Sequence, residues 1–198
     1  LFRSVLNDFK VPRNRNDYKL QLLIELYSGM RMGEINALRT EDIDLENGLV
    51  HVRATISRGL EYRNFIKDGA KTDAGVRDIP VNKALESVLK EALERVQKNP
   101  FDLIFYDYLK KNLITTSQVN CFFHRICKKA GISKRGQHAL RHTFATRCIE
   151  AGVPAVVLKN WLGHRDIHMT LDIYADVFES MHHSAMEKFE GHILKLAE

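Results

Sequence analysis

Long apolar runs are missing from this 198-residue chain. No stretch approaches the ~18 uninterrupted apolar residues of a membrane helix, which excludes helical membrane spanning. Cysteine is scarce: Cys121, Cys127 and Cys148 form no C-x-x-C pair. An odd, scattered set builds neither a disulfide framework nor a four-cysteine zinc site, and it fits a reducing cytosol. Cys127 and Cys148 fall within helix-like apolar patterns and read as small buried hydrophobes. The phosphate-binding patterns G-x-x-x-x-G-K-[ST] and G-x-G-x-x-G are absent, so nucleotide-cofactor chemistry loses its main signatures. A G-x-S-x-G nucleophile elbow is absent too, since Gly131-Ile132-Ser133-Lys134-Arg135-Gly136 has the wrong spacing. Internal repeats, low-complexity runs, Gly/Ser linkers and a signal-peptide pattern are also lacking. The chain opens on Leu1 rather than Met and is read as a fragment of a longer protein.

What is present fits one globular domain spanning 1–198, with 44% hydrophobic and 28% charged residues, enough for a core of its own. The charge is uneven. Residues 121–165 hold nine Lys/Arg against one acidic residue, Glu150, whereas residues 166–198 hold two against seven. A dense basic segment beside an acidic tail points to a polyanion-binding surface.

The apolar periodicity predicts a helix-rich α+β fold. Leu20, Leu23, Leu26 and Tyr27 recur at helical spacing after Asn16-Asp17, and Gly29 breaks the pattern before a second short helix ending near Leu38. The turn signal Asp44–Gly48 precedes a predicted strand over 49–56. Further strands are predicted over about 61–66 and 75–81, giving a small three-stranded antiparallel sheet. Helices follow: one from Asn82 carrying Leu85, Val88, Leu89, Ala92, Leu93 and Val96, one after Ser117 stopped by Gly131, one over His138–Ala151, and one opened by Pro154. A last amphipathic segment after Asp176 carries Met181, Ala185, Phe189, Ile193 and Leu196.

His138 and His142 stand four apart, as in H-E-x-x-H zinc helices, but Ala139 occupies the general-base position and Arg141 lies between them. His164 and His168 repeat the spacing without a third ligand, so no metal is expected at either pair. What remains is an arginine-histidine set. His138 and Arg141 share a helical face, where a planar guanidinium can grip two phosphate oxygens and an imidazole can move a proton near neutral pH. His164 follows a glycine break, and Tyr174 lies ten residues further on.

In this order the residues resemble the catalytic domain of the tyrosine recombinases, the phage integrase family, over nearly the whole chain. The first arginine box resembles Ser28-Gly29-Met30-Arg31-Met32-Gly33-Glu34-Ile35-Asn36-Ala37-Leu38, and the hairpin lysine box resembles Lys71-Thr72-Asp73-Ala74-Gly75-Val76-Arg77-Asp78-Ile79-Pro80. The H-x-L-R-H box stands at 138–142, the L-G-H box at 162–164, and the nucleophile box reads Thr170-Leu171-Asp172-Ile173-Tyr174. Three departures stand out: Gly33 where the family often has Ser or Thr, Gly75 in place of a frequent Ser, and His168-Met169 within a run usually rich in Ser/Thr.

The resemblance implies a mostly helical catalytic domain in which Tyr174 attacks a DNA phosphate and forms a 3′-phosphotyrosyl link, with neither metal, ATP nor other cofactor. It implies that Arg31 and Arg141 bind the non-bridging oxygens, Lys71 protonates the departing 5′-oxygen, His138 accepts the tyrosine proton, and His164 donates a hydrogen bond to phosphate. Glu34 is assigned an orienting role, with a plain surface salt bridge as the alternative. Arg53, Arg58, Arg63, Lys67 and Arg77 around the sheet are expected to touch backbone phosphates, as are Lys128, Lys129, Lys134 and Arg135. By the same resemblance the partner is double-stranded DNA carrying recombination sites, the upstream DNA-binding domains precede Leu1, and the protein is bacterial and cytoplasmic. The tail over 176–198 is expected to dock on a neighbouring protomer of a DNA-bound tetramer, with packing against its own protomer as the alternative. Integration of a mobile element is the expected role; type IB topoisomerase-like relaxation and chromosome-dimer resolution are the alternatives.

Overall fold

The computed structural model describes residues 2–11, 16–59, 64–69, 76–133 and 136–175. Among the described residues its helices include α1 (Phe2–Asp8), α2 (Lys19–Ser28), α3 (Met32–Asn36), α4 (Lys83–Glu94), α5 (Thr116–Lys129), α6 (His138–Glu150) and α7 (Ala155–Leu162), and residues 168–175 are helical too. Its strands are β1 (Ile43–Asp44), β2 (Leu49–Val52), β3 (Ala54–Arg58), β4 (Asn64–Asp68) and β5 (Arg77–Pro80). The mostly helical α+β class expected from the sequence is the observed one.

Helix α2 lies in the middle of the main core. Leu20, Leu22 and Ile24 are buried with Leu85, Val88 and Leu89 of α4 and with Val119, Phe122, Phe123 and Ile126 of α5. Each large aliphatic side chain fully withdrawn from water in this way contributes about 1.5–3 kcal/mol. The Phe122 ring meets Tyr18 edge-on, with centroids 5.6 Å apart. Local signals set the helix starts. Asn82 Oδ1 accepts the Leu85 N–H at 2.9 Å at the head of α4. At the head of α5, Thr115 Oγ1 accepts from the Gln118 N–H at 3.2 Å while Gln118 Oε1 accepts from the Thr115 N–H at 2.8 Å.

The antiparallel sheet has three strands, in the order β1-β2-β5, with Val50 opposite both Ile43 and Ile79. Its membership differs from the expected one. The run expected as one strand over 49–56 is interrupted at Arg53, so β2 pairs with β5 while β3 pairs with β4 in a separate two-stranded ribbon, Ile56 opposite Ile66. Burial still alternates through the break, with Val50, Val52, Ala54 and Ile56 all inside. The period of two therefore conceals the change of partner. The ribbon covers a second small core of Ala37, Ala54, Ile56, Leu103 and Leu113. A third cluster joins α6 to α7 through Ala145, Ile149, Leu158 and Leu162, with Ile173 and Tyr174 packed against it. The expected strand start at 61–63 and the amphipathic tail lie outside the described residues.

Candidate active site

Two helix ends and two helix starts meet where the three cores adjoin. Helix α2 ends at Gly29 (φ +67°) and α7 at Gly163 (φ +63°), both in the left-handed conformation that glycine adopts without strain. Neither position has room for a side chain: a Cβ on Gly29 would lie 2.4 Å from the Phe144 ring, and one on Gly163 would lie 2.9 Å from the Arg77 guanidinium. The last carbonyls of a helix have no partner within the helix and carry its negative dipole end, so they attract cations. Here they hold arginines. Arg141, on the first turn of α6 and 6% exposed, donates Nη1 to Gly29 O at 2.5 Å and Nη2 to Leu162 O at 2.7 Å. Arg31, at the start of α3, donates Nη2 to Gly163 O at 3.0 Å and Nη1 to Glu34 Oε1 at 3.0 Å.

A guanidinium has five N–H donors, so each of these arginines keeps donors beyond the two bonds that fix it. The Arg31 side chain is 38% exposed and opens the cradle to solvent. Glu34 caps α3 by accepting the Arg31 backbone N–H at 2.8 Å, and it is clasped by Arg77 through Nη1–Oε1 at 3.1 Å and Nη2–Oε2 at 2.8 Å. Burial pushes the Glu34 carboxyl up, but the Arg77 and Arg31 contacts outweigh this and hold it below its ordinary value. Glu34 is thus a buried carboxylate shared by Arg77 and Arg31, and it is no surface pair.

Arg31 and Arg77 bond this one ionised carboxylate and Arg141 lies within reach of its charge, so three guanidiniums face one carboxylate and leave excess positive charge. The titratable groups around it respond accordingly. Burial, then the neighbouring Arg31, pulls Arg141 down to about 9, so it stays cationic at neutral pH. Burial, then Arg141, Arg31 and Arg77, pulls His164 down to about 4 and keeps its ring neutral. Desolvation, then Arg141 and Arg31, lowers His138 as well. A bound anion would relieve these like-charge penalties. His138 is the first residue of α6 and is well exposed, whereas His164 is buried and its Nδ1 lies 2.9 Å from Thr170 Oγ1. That contact ties the loop after α7 to the helical residues 168–175 that carry Tyr174. A cavity of about 750 Å³ adjoins the cradle, lined in part by His138, Arg141, His164, Met169 and Ile173.

Arg31, His138, Arg141 and His164 are therefore brought together. Tyr174 is not on the cradle: its hydroxyl donates to the Val153 backbone carbonyl, and burial raises its pKa. Lys71, Arg63, Lys134 and Arg135 lie outside the described residues.

Among the expected phosphate contacts Arg77 requires a correction. Its side chain is 6% exposed and committed to Glu34, with Nε donating to Trp161 O at 2.7 Å, so it ties β5 to α3 and α7 rather than facing outward. Arg53 is half exposed, 3.9 Å from Asp42. Strand alternation puts Arg53 and Lys67 with the exposed Phe65 on the face of the ribbon opposite Ile56 and Ile66. Arg58 is exposed at the end of β3. Lys128 and Lys129 are exposed on the last turn of α5, with Lys129 Nζ 5.4 Å from the Phe9 ring centre. Among the described residues no group of three His, Cys, Asp or Glu side chains is placed to hold a metal ion.

The sequence pattern of the phage integrase family matches residues 6–181. The chain belongs to that family. It is 29% identical to a XerC-like tyrosine recombinase of Caldanaerobacter subterraneus over 85% of its own length and 48% of that protein's. It is also 29% identical to the transposase of transposon Tn916 from Enterococcus faecalis, over 78% of its length and 41% of the relative's. It thus spans about half the length of these family members or less. Among solved structures, the integrase of transposon Tn1549 in complex with circular intermediate DNA superposes with a TM-score of 0.79 at 26% identity, covering 94% of this chain and 64% of that one. The recombinase XerA, at 22% identity and a TM-score of 0.71, shares the family fold.

Proposed function

We propose that this chain is the strand-cleaving and rejoining domain of a site-specific DNA recombinase that integrates and excises a mobile element. The observation that carries this reading is the cradle itself: Arg31 and Arg141, each locked by helix-end carbonyls, present surplus guanidinium donors and excess positive charge beside two imidazoles. A DNA phosphodiester is the anion that such a site fits, and fixed donors aimed at its non-bridging oxygens offset the charge that grows in a pentacoordinate transition state. The similarity to transposon proteins, one of them in complex with a circular DNA intermediate, supports the mobile-element role.

In the reaction, Tyr174 Oη bonds to phosphorus, the bond from phosphorus to the 5′-oxygen breaks, and a 3′-phosphotyrosyl link remains. His138 accepts the phenolic proton, and Lys71 supplies one to the leaving 5′-oxygen. A second round in reverse, with a 5′-hydroxyl from another strand, rejoins the DNA without ATP. A phenol of raised pKa held by a carbonyl is a weak nucleophile, so the segment carrying Tyr174 must shift to release Val153 and bring the hydroxyl to phosphate. The DNA itself supplies the differential binding energy for that shift.

The tail over 176–198 docks on a neighbouring protomer in a DNA-bound tetramer of this cytoplasmic protein. Its apolar stripe and acidic charge, set against the basic segment over 121–165, support that assignment. Removing residues 180–198 should abolish the larger assembly on DNA; an assembly of unchanged size would refute docking in trans.

A nicked suicide substrate tests the chemistry. The wild-type chain should form a covalent adduct with it, and sequencing the joined DNA identifies the site. Tyr174→Phe should bind DNA as well as wild type and form no adduct. An adduct in that variant would show that another residue is the nucleophile.

A further inference from the structure

The cradle has a buried acid beneath it that the mechanism above leaves unused. Glu25, near the end of α2, is 0% exposed, and neither carboxyl oxygen has a hydrogen-bond partner among the described residues. Buried polar atoms are nearly always paired, so two orphan oxygens on one carboxyl call for an explanation. One of them, Oε1, lies 3.9 Å from Nδ1 of His138, whose side chain is otherwise 69% exposed. The pair spans the packed helices α2 and α6, and a closure of roughly 1 Å would make it a hydrogen bond. Gln137, the residue before His138, is also buried with its Oε1 unpartnered. The polar floor under His138 is therefore built but open.

We propose that Glu25 is a positioning residue for His138: its Oε1 accepts the Nδ1–H of the imidazole, fixing the tautomer that presents the Nε2 lone pair to the tyrosine proton. This inference rests on His138 acting as the base. Burial raises the Glu25 carboxyl to about 9, with Arg141 pulling the other way, so it meets His138 as a neutral acid whose carbonyl oxygen is the acceptor. A neutral partner orients the ring without cancelling the positive charge that the phosphate needs. The surrounding charged groups are Arg141 on α6 and Arg31 and Glu34 at the start of α3. Helix α4 contributes the apolar Leu85 and Leu89 to this core, and α5 contributes Phe123, Ile126 and the thiol of Cys127, whose pKa burial raises. Once His138 takes up the proton, its Nδ1–H becomes a cationic donor and the bond to Glu25 strengthens.

The test compares wild type, Glu25→Gln and Glu25→Met. Nitrogen NMR of the DNA-free protein reads the tautomer directly: wild type and Glu25→Gln, which keeps the acceptor, should carry the His138 proton on Nδ1, and Glu25→Met should move it to Nε2. In single-turnover cleavage of the nicked substrate at saturating DNA, Glu25→Met should be slower by about tenfold to a hundredfold with unchanged DNA affinity, and Glu25→Gln should restore the rate. A Glu25→Met protein with an unaltered tautomer and cleavage rate would overturn the proposal and make Glu25 a purely structural burden. If Glu25→Met does not fold, the wild-type tautomer alone decides: a proton on Nε2 refutes it. Failure of wild type to form any adduct would instead strike the assigned chemistry, leaving the Glu25–His138 relationship to be settled by the NMR result.

Discussion

Arg77 clasps Glu34 through two parallel N–H···O contacts, 3.1 and 2.8 Å long, with both side chains under 10% exposed. This fork fastens strand β5 to the helix that begins at Arg31, and Arg77 Nε extends the link to Trp161 at the end of α7. Removing one partner of a buried pair strands the other charge and costs about 3–5 kcal/mol. Arg77→Ala should therefore lower stability by about that much, read in urea unfolding, and should reduce strand cleavage further because Glu34 no longer fixes Arg31. Arg77→Lys should not rescue it, since one ammonium cannot reproduce the fork. If Arg77→Ala weakens DNA binding while stability stays level, the residue is a phosphate contact after all.

Two buried groups give stability opposite slopes with pH. His164 falls from an ordinary 6.5 to about 4 on folding, so its contribution is complete above about 6.5 and is lost as pH drops towards 4, where the unfolded chain binds a proton that the native state refuses. Glu25 rises from 4.5 to about 9, so its contribution is complete below 4.5 and is lost as pH climbs towards 9. Each slope approaches about 1.4 kcal/mol per pH unit. Glu34, held low by Arg77 and Arg31, adds acid sensitivity only below 4.5. Between about pH 4.5 and 6.5 the two slopes oppose each other and wild type should stay nearly level. Unfolding measured from pH 4 to 9 should show the decline above 6.5 flattened in Glu25→Gln, which instead loses stability from 6.5 towards 4, and a continued gain down to about 4.5 in His164→Asn. Unchanged profiles in both would mean that neither group titrates as its burial requires.

The sequence marked the arginine-histidine boxes because each sits at a helix boundary with its own punctuation, Gly29 and Gly163 among it. It also located α2, α4 and α5 of the main core within a few residues, but not α1, whose Leu6 is buried there. What it concealed was pairing across distance. Arg77 looks like any basic strand residue until the fold brings Glu34, 43 positions earlier, against it. Glu25 sits in a helix read as facing the core through Leu23 and Leu26, which are only partly buried, whereas Leu22 and Ile24 are almost wholly inside. With α3, α4, α5 and α6 all packed on α2, an acid on that helix has no outer face to occupy. The break at Arg53 was hidden because alternation continues through it while the hydrogen-bond partner changes.

Gly33 illustrates how local packing overrides a family habit. A Cβ at this position would lie 2.7 Å from Thr55 Oγ1 and 2.9 Å from the backbone oxygen of Ile56, so the serine or threonine common elsewhere does not fit against β3. Gly33→Ser should cost about 1–3 kcal/mol by overpacking, lowering the melting temperature by about 2–4 °C for each kcal/mol. Thr55→Ala in the same chain should recover only part of the loss, because the Ile56 carbonyl remains in the way. Full recovery would place the clash on the threonine hydroxyl alone.

Arg141 is tied to both helix ends at once, and this makes its geometry as consequential as its charge. Arg141→Lys keeps the positive charge but cannot reach the Gly29 and Leu162 carbonyls in one planar fork while also offering donors to phosphate. Loss of one fixed donor to a developing oxyanion is worth about 3–4 kcal/mol, or two to three decades in rate. Arg141→Lys should accordingly cleave the nicked substrate about a hundredfold to a thousandfold more slowly, while its DNA affinity at fixed salt stays within a few-fold of wild type, because the other basic contacts persist. A variant that binds far more weakly yet cleaves bound DNA at the normal rate would assign Arg141 to anchoring the duplex instead of to the transition state.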